Sequence, residues 1–238
     1  MTKGSRGDDA ERPVIDDELL ASQIAYYRAH APRYDHWWFC QGRHDLGETY
    51  RETWRAQIEI LRARLTEIAP LGEVLELAGG TGNWTRELAG LADSVTVVDA
   101  SPEAAGIARD KVDGNVRWLI EDIFRFRPDR KFDTVFFGFW LSHVPAKRFE
   151  EFWELVGDCL EPDGRVFFLD NAHPELARAV RPDLFDAGRW KRNETSVEGI
   201  DSITDLQTGI ASRVAADGRS YSLVKIWWDP EDLRLLLG

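Results

Sequence analysis

The chain has 238 residues, of which 43% are hydrophobic and ten are tryptophan, so it is long enough to bury a sizeable core. Its formal net charge of −12 means that the average surface repels phosphate backbones and anionic membranes. This charge argues against nucleic acid or a membrane as a partner and favours a small molecule. The two cysteines, Cys40 and Cys159, lack the spacing of a metal site or a disulfide framework. We therefore predict a cytoplasmic protein that binds no metal.

The amino-terminal part of the sequence predicts a tail followed by two helices. Residues 1–13 are polar and lack the apolar core of a signal peptide, which predicts a flexible tail. Apolar residues then recur at helical spacing, first up to Pro32 and again up to Pro70. The stretch between these helices, "YDHWWFCQGRHDLG", is aromatic and irregular. We interpret residues 14–70 as a helical lid that also forms part of a substrate cap.

From residue 71 onward, short apolar runs alternate with helical patterns. The helical stretches include "SPEAAGIARDK", in which Ser101 is a candidate N-cap, and "KRFEEFWELVGDCL". Such alternation is typical of a parallel sheet covered by helices on both faces. We therefore predict an α/β fold with a Rossmann-like, doubly wound and mainly parallel sheet in a core of residues 71–238. The predicted strands are 74–77, 95–98, 116–120, 132–137 and 165–169.

Late in the chain, residues 197–228 show the alternation of a β-hairpin inserted into this core, with Asp217 and Gly218 in the turn. Arg213 and Lys225 lie on the two arms of this hairpin. They are either solvated surface charges or a pair that points into the ligand cleft. In the second case they suit an acidic substrate.

The stretch "VLELAGGTGNWTRELAG", residues 74–90, runs from the first predicted strand through a glycine-rich turn into a helix. Without side chains, Gly80 and Gly82 allow backbone N–H groups to approach a ligand, and the helix from about residue 83 points its amino end at the same place. In a doubly wound sheet, ligands bind at these carboxyl ends of the strands. A tight turn with no ligand is the alternative.

Acidic residues at the ends of the first three strands indicate which nucleotide binds. Asp99 is placed to accept hydrogen bonds from both hydroxyls of a ribose, while Asp122 and the backbone of Ile123 suit an adenine edge. A helix cap or a solvated loop acid are the alternatives for the two aspartates. A dinucleotide loop would have a third glycine where Thr85 stands. Glu76 suits a positively charged amino-acid end, and the predicted ligand is S-adenosylmethionine.

Several residues are candidates for the reaction centre. His143, in "FWLSHVP" after the fourth strand, is predicted as a base or a positioning residue, and the alternative is a packed core histidine. Tyr27 and Tyr34 lie where the lid would cover the cofactor. Together with His143, we predict Arg213 and Lys225 as the catalytic set.

Five stretches in this order, "VLELAGGTGNWT", "VTVVDASPE", "IEDIF", "FDTVFFGFWLSHVP" and "EPDGRVFFLD", resemble the class I S-adenosylmethionine-dependent methyltransferases. "QIAYYRAHAPRYD" and "DGRSYSLVKIW" are similar to the bacterial small-molecule branch of this family, which includes the dehydrophos-type phosphonate O-methyltransferases. The resemblance implies methyl transfer from S-adenosylmethionine. We expect the acceptor atom to be an oxygen, or less often a nitrogen, of a small metabolite of specialised biosynthesis, which is anionic if Arg213 and Lys225 face the cleft. S-adenosylhomocysteine would be the product, and the protein a monomer or homodimer. The resemblance also extends the predicted cofactor site to Ala78, Trp84, Ala100 and Phe139.

Two departures from the family pattern accompany this resemblance. Gly79 stands where the family commonly has cysteine or serine. The chain also stops at "DPEDLRLLLG", before the two antiparallel strands that usually close the sheet, so we predict that the final strands are missing. The alternatives for function are a cyclase or isomerase on the same fold and a non-catalytic cofactor-binding partner protein. A nicotinamide-dependent dehydrogenase fits least well.

Overall fold

The computed structural model of the protein describes residues 13–172, 191–192, 196–199, 202–205 and 207–237. The helices are α1 (Pro13–Trp38), α2 (Glu48–Glu67), α3 (Thr85–Ala89), α4 (Pro102–Arg109), α5 (Phe149–Cys159) and α6 (Pro230–Leu237). The first five strands are β1 (Glu73–Leu77), β2 (Ser94–Asp99), β3 (Val116–Ile120), β4 (Phe132–Gly138) and β5 (Leu160–Leu169). The later strands are β6 (Lys191–Arg192), β7 (Ser196–Gly199), β8 (Ser202–Asp205), β9 (Ile210–Val214) and β10 (Ser220–Val224).

The central sheet has the strand order β3-β2-β1-β4-β5, and every neighbouring pair is parallel. The predicted Rossmann-like sheet is confirmed, with all five predicted strands present. Only β5 differs clearly from its prediction, because it already begins at Leu160. The order reverses between β1 and β4, so the cleft at the switch point opens above the carboxyl ends of these two strands.

Apolar side chains cover both faces of this sheet, as a parallel sheet requires. On one face, the buried residues Phe137, Phe152 and Val156 belong to a core that α5 shares with the strands. On the other face, Leu65 of α2 and Leu88 of α3 pack with strand residues in a second core. The sheet is therefore a rigid support for the loops at its carboxyl edge.

A second, antiparallel sheet with the order β10-β9-β8-β7-β6 follows the central one along the chain. The predicted hairpin is present as β9 and β10, in which Arg213 pairs with Tyr221. In the turn of this hairpin, the Asp217 carboxylate accepts a hydrogen bond from the backbone N–H of Arg219 at 2.9 Å. The hairpin is not an isolated insertion, because β8 continues the sheet on the other side of β9.

Helix α1 is longer than its sequence indicates. The predicted end before Pro32 is wrong, since the helix continues through Pro32 to Trp38 and takes in the first part of the aromatic stretch. Proline removes one backbone donor within a helix. The helix nevertheless packs on both β10 and α4, and this tertiary packing outweighs the local preference.

Two observations concern the edges and the length of the described elements. Within the described ranges, no strand pairs with the outer edge of β5, and α6 is the last element. Helices long and apolar enough to cross a membrane are absent from the same part of the chain.

Candidate active site

A cavity of about 810 Å³ lies at the carboxyl edge of the central sheet, beneath α1. A second cavity of about 320 Å³ shares several of its walls and reaches the glycine-rich turn. The predicted residues that line the large cavity are Tyr27, Tyr34, Ala78, Gly80, Asp99, Ala100, Asp122, Ile123, Phe139 and His143. The predicted residues that line the smaller one are Tyr34, Glu76, Ala78, Gly80, Trp84 and Phe139.

Gly82 is the predicted cofactor residue that lies outside the lining of both cavities. Its φ angle is +82°, and a Cβ atom placed on it would lie only 2.8 Å from the Cβ of Ala108. A side chain here would clash with α4, so packing of the turn requires glycine, and its contact with the cofactor stays a prediction.

Asp99 is held in place by backbone donors on both sides. Its two carboxylate oxygens accept hydrogen bonds from the N–H of Gly80 at 2.8 Å and of Ser101 at 2.7 Å. Ser101 caps α4 itself, because its Oγ accepts from the N–H of Ala104 at 3.0 Å. Burial raises the pKa of Asp99, and the two backbone hydrogen bonds oppose this effect. The oriented carboxylate at the cavity wall suits the hydroxyls of a ribose.

Asp122 and Ile123 form the far end of the large cavity, after β3. One carboxylate oxygen of Asp122 accepts a hydrogen bond from the N–H of Phe124 at 3.0 Å. This contact fixes the loop. The second oxygen lies 3.9 Å from Nε of the exposed Arg125, and as an acceptor it also suits an exocyclic amino group of an adenine.

Glu76 and Ala78 mark the end of β1. Glu76 is buried, and its Oε2 accepts a hydrogen bond from the Thr85 hydroxyl at 2.6 Å. Burial raises the pKa of Glu76 to about 8. Ala78 has a φ angle of +58°, a left-handed conformation that is uncommon for a residue with a side chain. Such strain at the point where a strand turns into a ligand site is typical of functional sites.

His143 is fixed as a neutral imidazole with one defined tautomer. Its Nδ1 lies 2.6 Å from the carbonyl oxygen of Val224, which only accepts, so Nδ1 carries the proton. Its Nε2 lies 2.8 Å from the hydroxyl of Tyr27 and accepts a hydrogen bond from it. Burial, with Lys225 and Arg213 nearby, holds the pKa of His143 well below its usual range. The histidine therefore positions Tyr27 and is a poor proton acceptor.

The two predicted hairpin cations lie beside the cavity and not in its lining. Lys225 is buried and donates from Nζ to the hydroxyl of Ser142 at 2.8 Å, while Asp170 Oδ1 is 3.9 Å from Nζ. Burial lowers the pKa of Lys225 to about 8, although Asp170 acts in the opposite direction. The guanidinium of Arg213 lies over the ring of Tyr26, with 5.9 Å from Cζ to the centroid. Both positive charges lower the pKa of His143, so they lie near this side chain of the cavity lining.

Sequence reasoning missed two residues that connect α1 to the site. Gln23, on the buried side of α1, donates to the carbonyl of His143 at 3.2 Å and accepts from the N–H of Val224 at 3.0 Å. Asp35 accepts from the hydroxyl of Thr81 at 2.7 Å and from Lys111 Nζ at 2.7 Å. Gln23 is a polar residue on the apolar face of a predicted helix, and this was the signal in the sequence that could have identified it as part of the site.

The residues around both cavities fit S-adenosylmethionine in chemistry as well as in position. Trp84 is consistent with this fit, because its Nε1 is buried without a hydrogen-bond partner in the wall of the smaller cavity. A donor in this place suits an acceptor from a ligand or water. In the described part of the chain, no group of three or more metal-ligating side chains occurs.

Comparisons with known proteins agree with this geometry. A family model described as a methyltransferase domain matches residues 74–164. The solved structure of the DhpI–SAH complex is 35% identical, with a TM-score of 0.68, over 93% of this chain and 86% of that one. The structure of the DhpI–SAM–HEP complex is 37% identical, with a TM-score of 0.66, over 92% and 87% of the two chains.

A curated relative is the ubiquinone/menaquinone biosynthesis C-methyltransferase of Ectopseudomonas mendocina (strain ymp), which is 32% identical over 119 residues. The match spans 46% of each chain, so this chain covers about half the length of that relative. These findings establish the class: the chain belongs to the class I S-adenosylmethionine-dependent methyltransferases. Its cofactor is S-adenosylmethionine.

Proposed function

We propose that the protein transfers a methyl group from S-adenosylmethionine to an oxygen of a small, anionic metabolite, with S-adenosylhomocysteine as the other product. Transfer to a nitrogen is the less favoured form of the same reaction. We also propose that the protein is cytoplasmic, does not bind nucleic acid, works as a monomer or homodimer, and belongs to specialised biosynthesis. The domain division into a tail, a lid and a core is part of this proposal.

One observation carries the choice of an anionic acceptor: within the part of the chain that the structure describes, the charge of Arg213 has no acidic partner. Among the described residues, no carboxylate forms a salt bridge with it, and its neighbours are Tyr26, Tyr27 and Tyr34. Burial works against the charge, but these tyrosines raise the pKa of Arg213 overall, so it stays protonated. A partly buried cation without a carboxylate is costly unless a ligand supplies the negative charge.

The state of His143 supports the same conclusion. A neutral hydroxyl needs a general base before it can attack, whereas an oxygen that is already ionised does not. His143 uses both ring nitrogens in hydrogen bonds, and its pKa lies well below the usual range. The site therefore lacks an effective base at this position, which fits an acceptor that arrives as an anion.

When bound, S-adenosylmethionine supplies an electrophilic methyl group on a sulfonium. The residues of the chain bind and orient the cofactor and the acceptor, and they exclude water from the site. Asp99 and Asp122 hold the adenosine part, and α1 with Tyr27 and Tyr34 closes the cavity. Arg213 and Lys225 attract and orient the anionic acceptor. Positioning of this kind contributes roughly 7–11 kcal/mol to rate enhancement in intramolecular models.

A second candidate is C-methylation of a quinone precursor, which the curated relative from Ectopseudomonas mendocina favours. That match covers 46% of the chain, so it carries less weight than the similarity over most of the chain to the DhpI structures. An assay with a hydroquinone acceptor separates the two candidates, because the product would have a new carbon–carbon bond and no methyl ester or ether.

The experiment that tests the proposed function is a comparison of steady-state constants with a small carboxylate or phosphonate acceptor. Arg213→Ala and Lys225→Ala should each raise KM by roughly 10- to 100-fold, the effect of losing a hydrogen bond to a charged group. His143→Ala should lower kcat by less than roughly 100-fold, which is the smallest usual contribution of a general base.

Arg219→Ala is the matched control, because Arg219 lies in the turn of the same hairpin with its side chain 81% exposed. It should leave both constants unchanged. If Arg213→Ala and Lys225→Ala behave like this control while His143→Ala abolishes turnover, the acceptor is neutral and the proposal is wrong.

A further inference from the structure

The Tyr27 hydroxyl is the last in a row of three hydrogen-bonding groups that ends at the wall of the large cavity. Tyr27 of α1 belongs to the lining of this cavity, together with His143. Its hydroxyl is 2.8 Å from His143 Nε2, and His143 Nδ1 is 2.6 Å from the carbonyl oxygen of Val224. The direction of the protons along this row decides what the tyrosine can offer to a ligand.

The Val224 end of this row is fixed by its other contacts. A carbonyl oxygen only accepts, so His143 Nδ1 must donate to it. The N–H of Val224 in turn donates to Gln23 Oε1 at 3.0 Å, and Gln23 Nε2 donates to the carbonyl of His143 at 3.2 Å. Gln23 thus ties the end of β10 to the segment around His143, which keeps the imidazole next to both of its partners.

His143 has a single ring proton for its two nitrogens. Burial, with the positive charges of Lys225 and Arg213, holds the pKa of His143 well below its usual range, so the imidazole is neutral. A neutral imidazole carries its proton on one nitrogen, and here this nitrogen is Nδ1. Nε2 is then an acceptor, and the Tyr27 hydroxyl must donate to it. The proton of Tyr27 is therefore already used within the protein.

The oxygen of Tyr27 can consequently only accept hydrogen bonds from a ligand in the cavity. Burial raises the pKa of Tyr27 above its usual range, so the hydroxyl stays protonated. Among the described residues, this hydroxyl forms a hydrogen bond with His143 alone. Its neighbours Tyr34 and Arg213 act on it by ring contact and by charge. The lone pairs of the phenolic oxygen remain for a donor on the ligand.

We propose that Tyr27 selects acceptors that carry an uncharged hydrogen-bond donor, a hydroxyl or an amide N–H, beside their anionic group. This selection rests on the anionic acceptor of the proposed function and adds a second group to that acceptor. Arg213, which binds the anion there, is close enough to Tyr27 for the two side chains to interact electrostatically. Donor and anion are therefore neighbours on the acceptor. An ammonium is disfavoured as the donor, because Arg213 and Lys225 are both positive.

Nuclear magnetic resonance of nitrogen-15-labelled protein tests the proton direction without any ligand. Protonated and unprotonated ring nitrogens of a histidine have different chemical shifts, and the signals of His143 are those that disappear in His143→Gln. We expect a protonated Nδ1 and an unprotonated Nε2. The opposite tautomer overturns the inference, because Tyr27 would then accept from His143 and keep its own proton for a ligand.

Matched ligand pairs test the selection itself. Glycolate has a hydroxyl where propionate has a methyl group, and N-acetylglycine has an N–H where 4-oxopentanoate has a methylene. In wild type loaded with S-adenosylhomocysteine, glycolate, N-acetylglycine or both should bind roughly 3- to 10-fold more tightly than their partners, the effect of one neutral hydrogen bond. The pair that shows this preference identifies the donor. Tyr27→Phe should bind both members of that pair equally.

Tyr221→Phe is the matched control, because the Tyr221 hydroxyl donates to Asp217 in the turn of the hairpin. This variant should keep the wild-type preference. Glycolamide and propionamide, which are neutral, separate the inference from the proposed function. A preference in this neutral pair alone that depends on Tyr27 would retain the role of the tyrosine and reject the anionic acceptor. The inference is overturned if no pair shows a preference that depends on Tyr27.

Discussion

Lys225 is a buried amine that shares its surroundings with an acid. The hydroxyl of Ser142 accepts its hydrogen bond, and Asp170 lies within ion-pair distance. Burial lowers the pKa of Lys225 to about 8, against an ordinary value of 10.5. Because the pKa is lowered, the charge is present below pH 8 and is lost as the pH rises through that value.

This titration predicts a pH profile for acceptor binding. With a carboxylate acceptor that stays ionised throughout, KM should be constant from about pH 6.5 to 7.5 and rise steadily above pH 8. Lys225→Arg keeps its charge over the whole range, because arginine is not deprotonated in proteins. KM of this variant should therefore show no rise. A wild-type KM that stays flat up to pH 9.5 would remove Lys225 from acceptor binding.

At the scale of residues, the sequence predicted the site where a side chain stands at a strand end. Asp99 and Asp122 lie at the cavity because parallel strands place their carboxyl ends at one edge of the sheet. The role of Gly82 stays a prediction, because a glycine needed for packing and one needed for ligand approach have the same sequence signal. The tautomer of His143 depends on Val224, which lies 81 residues away, and no local pattern contains that contact.

Helix α1 is attached to the rest of the molecule by polar contacts as well as by apolar side chains such as Leu20 and Trp38, which belong to the two main cores. Gln23 and Tyr27 bind the segment around His143, and Arg28 forms an ion pair with Glu103 of α4 at 2.9 Å. Near the end of the helix, Asp35 accepts from Thr81, from Asn83 and from Lys111. If α1 acts as a lid, these polar contacts are the ones that must break when it opens.

The contacts of Asp35 predict how a substitution of this residue changes the stability of helix α1. Asp35→Asn should increase hydrogen exchange in residues 17–38 roughly tenfold, the equivalent of one hydrogen bond to a charged group. Added S-adenosylhomocysteine should slow exchange in the same residues of the wild type. Glu67→Gln removes an exposed pair with Arg64 on α2, and should have no such effect. If neither Asp35→Asn nor the ligand changes the rate of hydrogen exchange in α1, α1 is not a lid.

At the scale of elements, the sequence predicted those whose signal is local. All five central strands and the N-cap of α4 follow from apolar runs and capping chemistry. The continuation of α1 through Pro32 does not follow from local signals, because the helix is stabilised by packing on α4 and β10. The pairing of the hairpin with β8 also escaped prediction, since strands separated along the chain pair through contacts that the alternation of side chains does not specify.

The whole molecule has a net charge of −12, whereas Arg213 and Lys225 lie close together beside the cavity. Under the proposed function, this net charge opposes the approach of an anionic acceptor at long range. Arg213 and Lys225 would then supply the attraction next to the cavity, where charges are less screened by water. We therefore assign acceptor selection to these two side chains in the proposal, and cofactor binding to the carboxyl edge of the sheet.

The most direct measurement is an assay of methyl transfer with matched acceptors and a cofactor carrying a carbon-13 label in its methyl group. Small carboxylates and phosphonates are each compared with the neutral amide or ester of the same skeleton, and the labelled product is identified by nuclear magnetic resonance. We predict an O-methyl signal from an anionic acceptor and none from its neutral counterpart. Labelling of the neutral compounds instead, or a new carbon–carbon bond in a hydroquinone, would contradict the account.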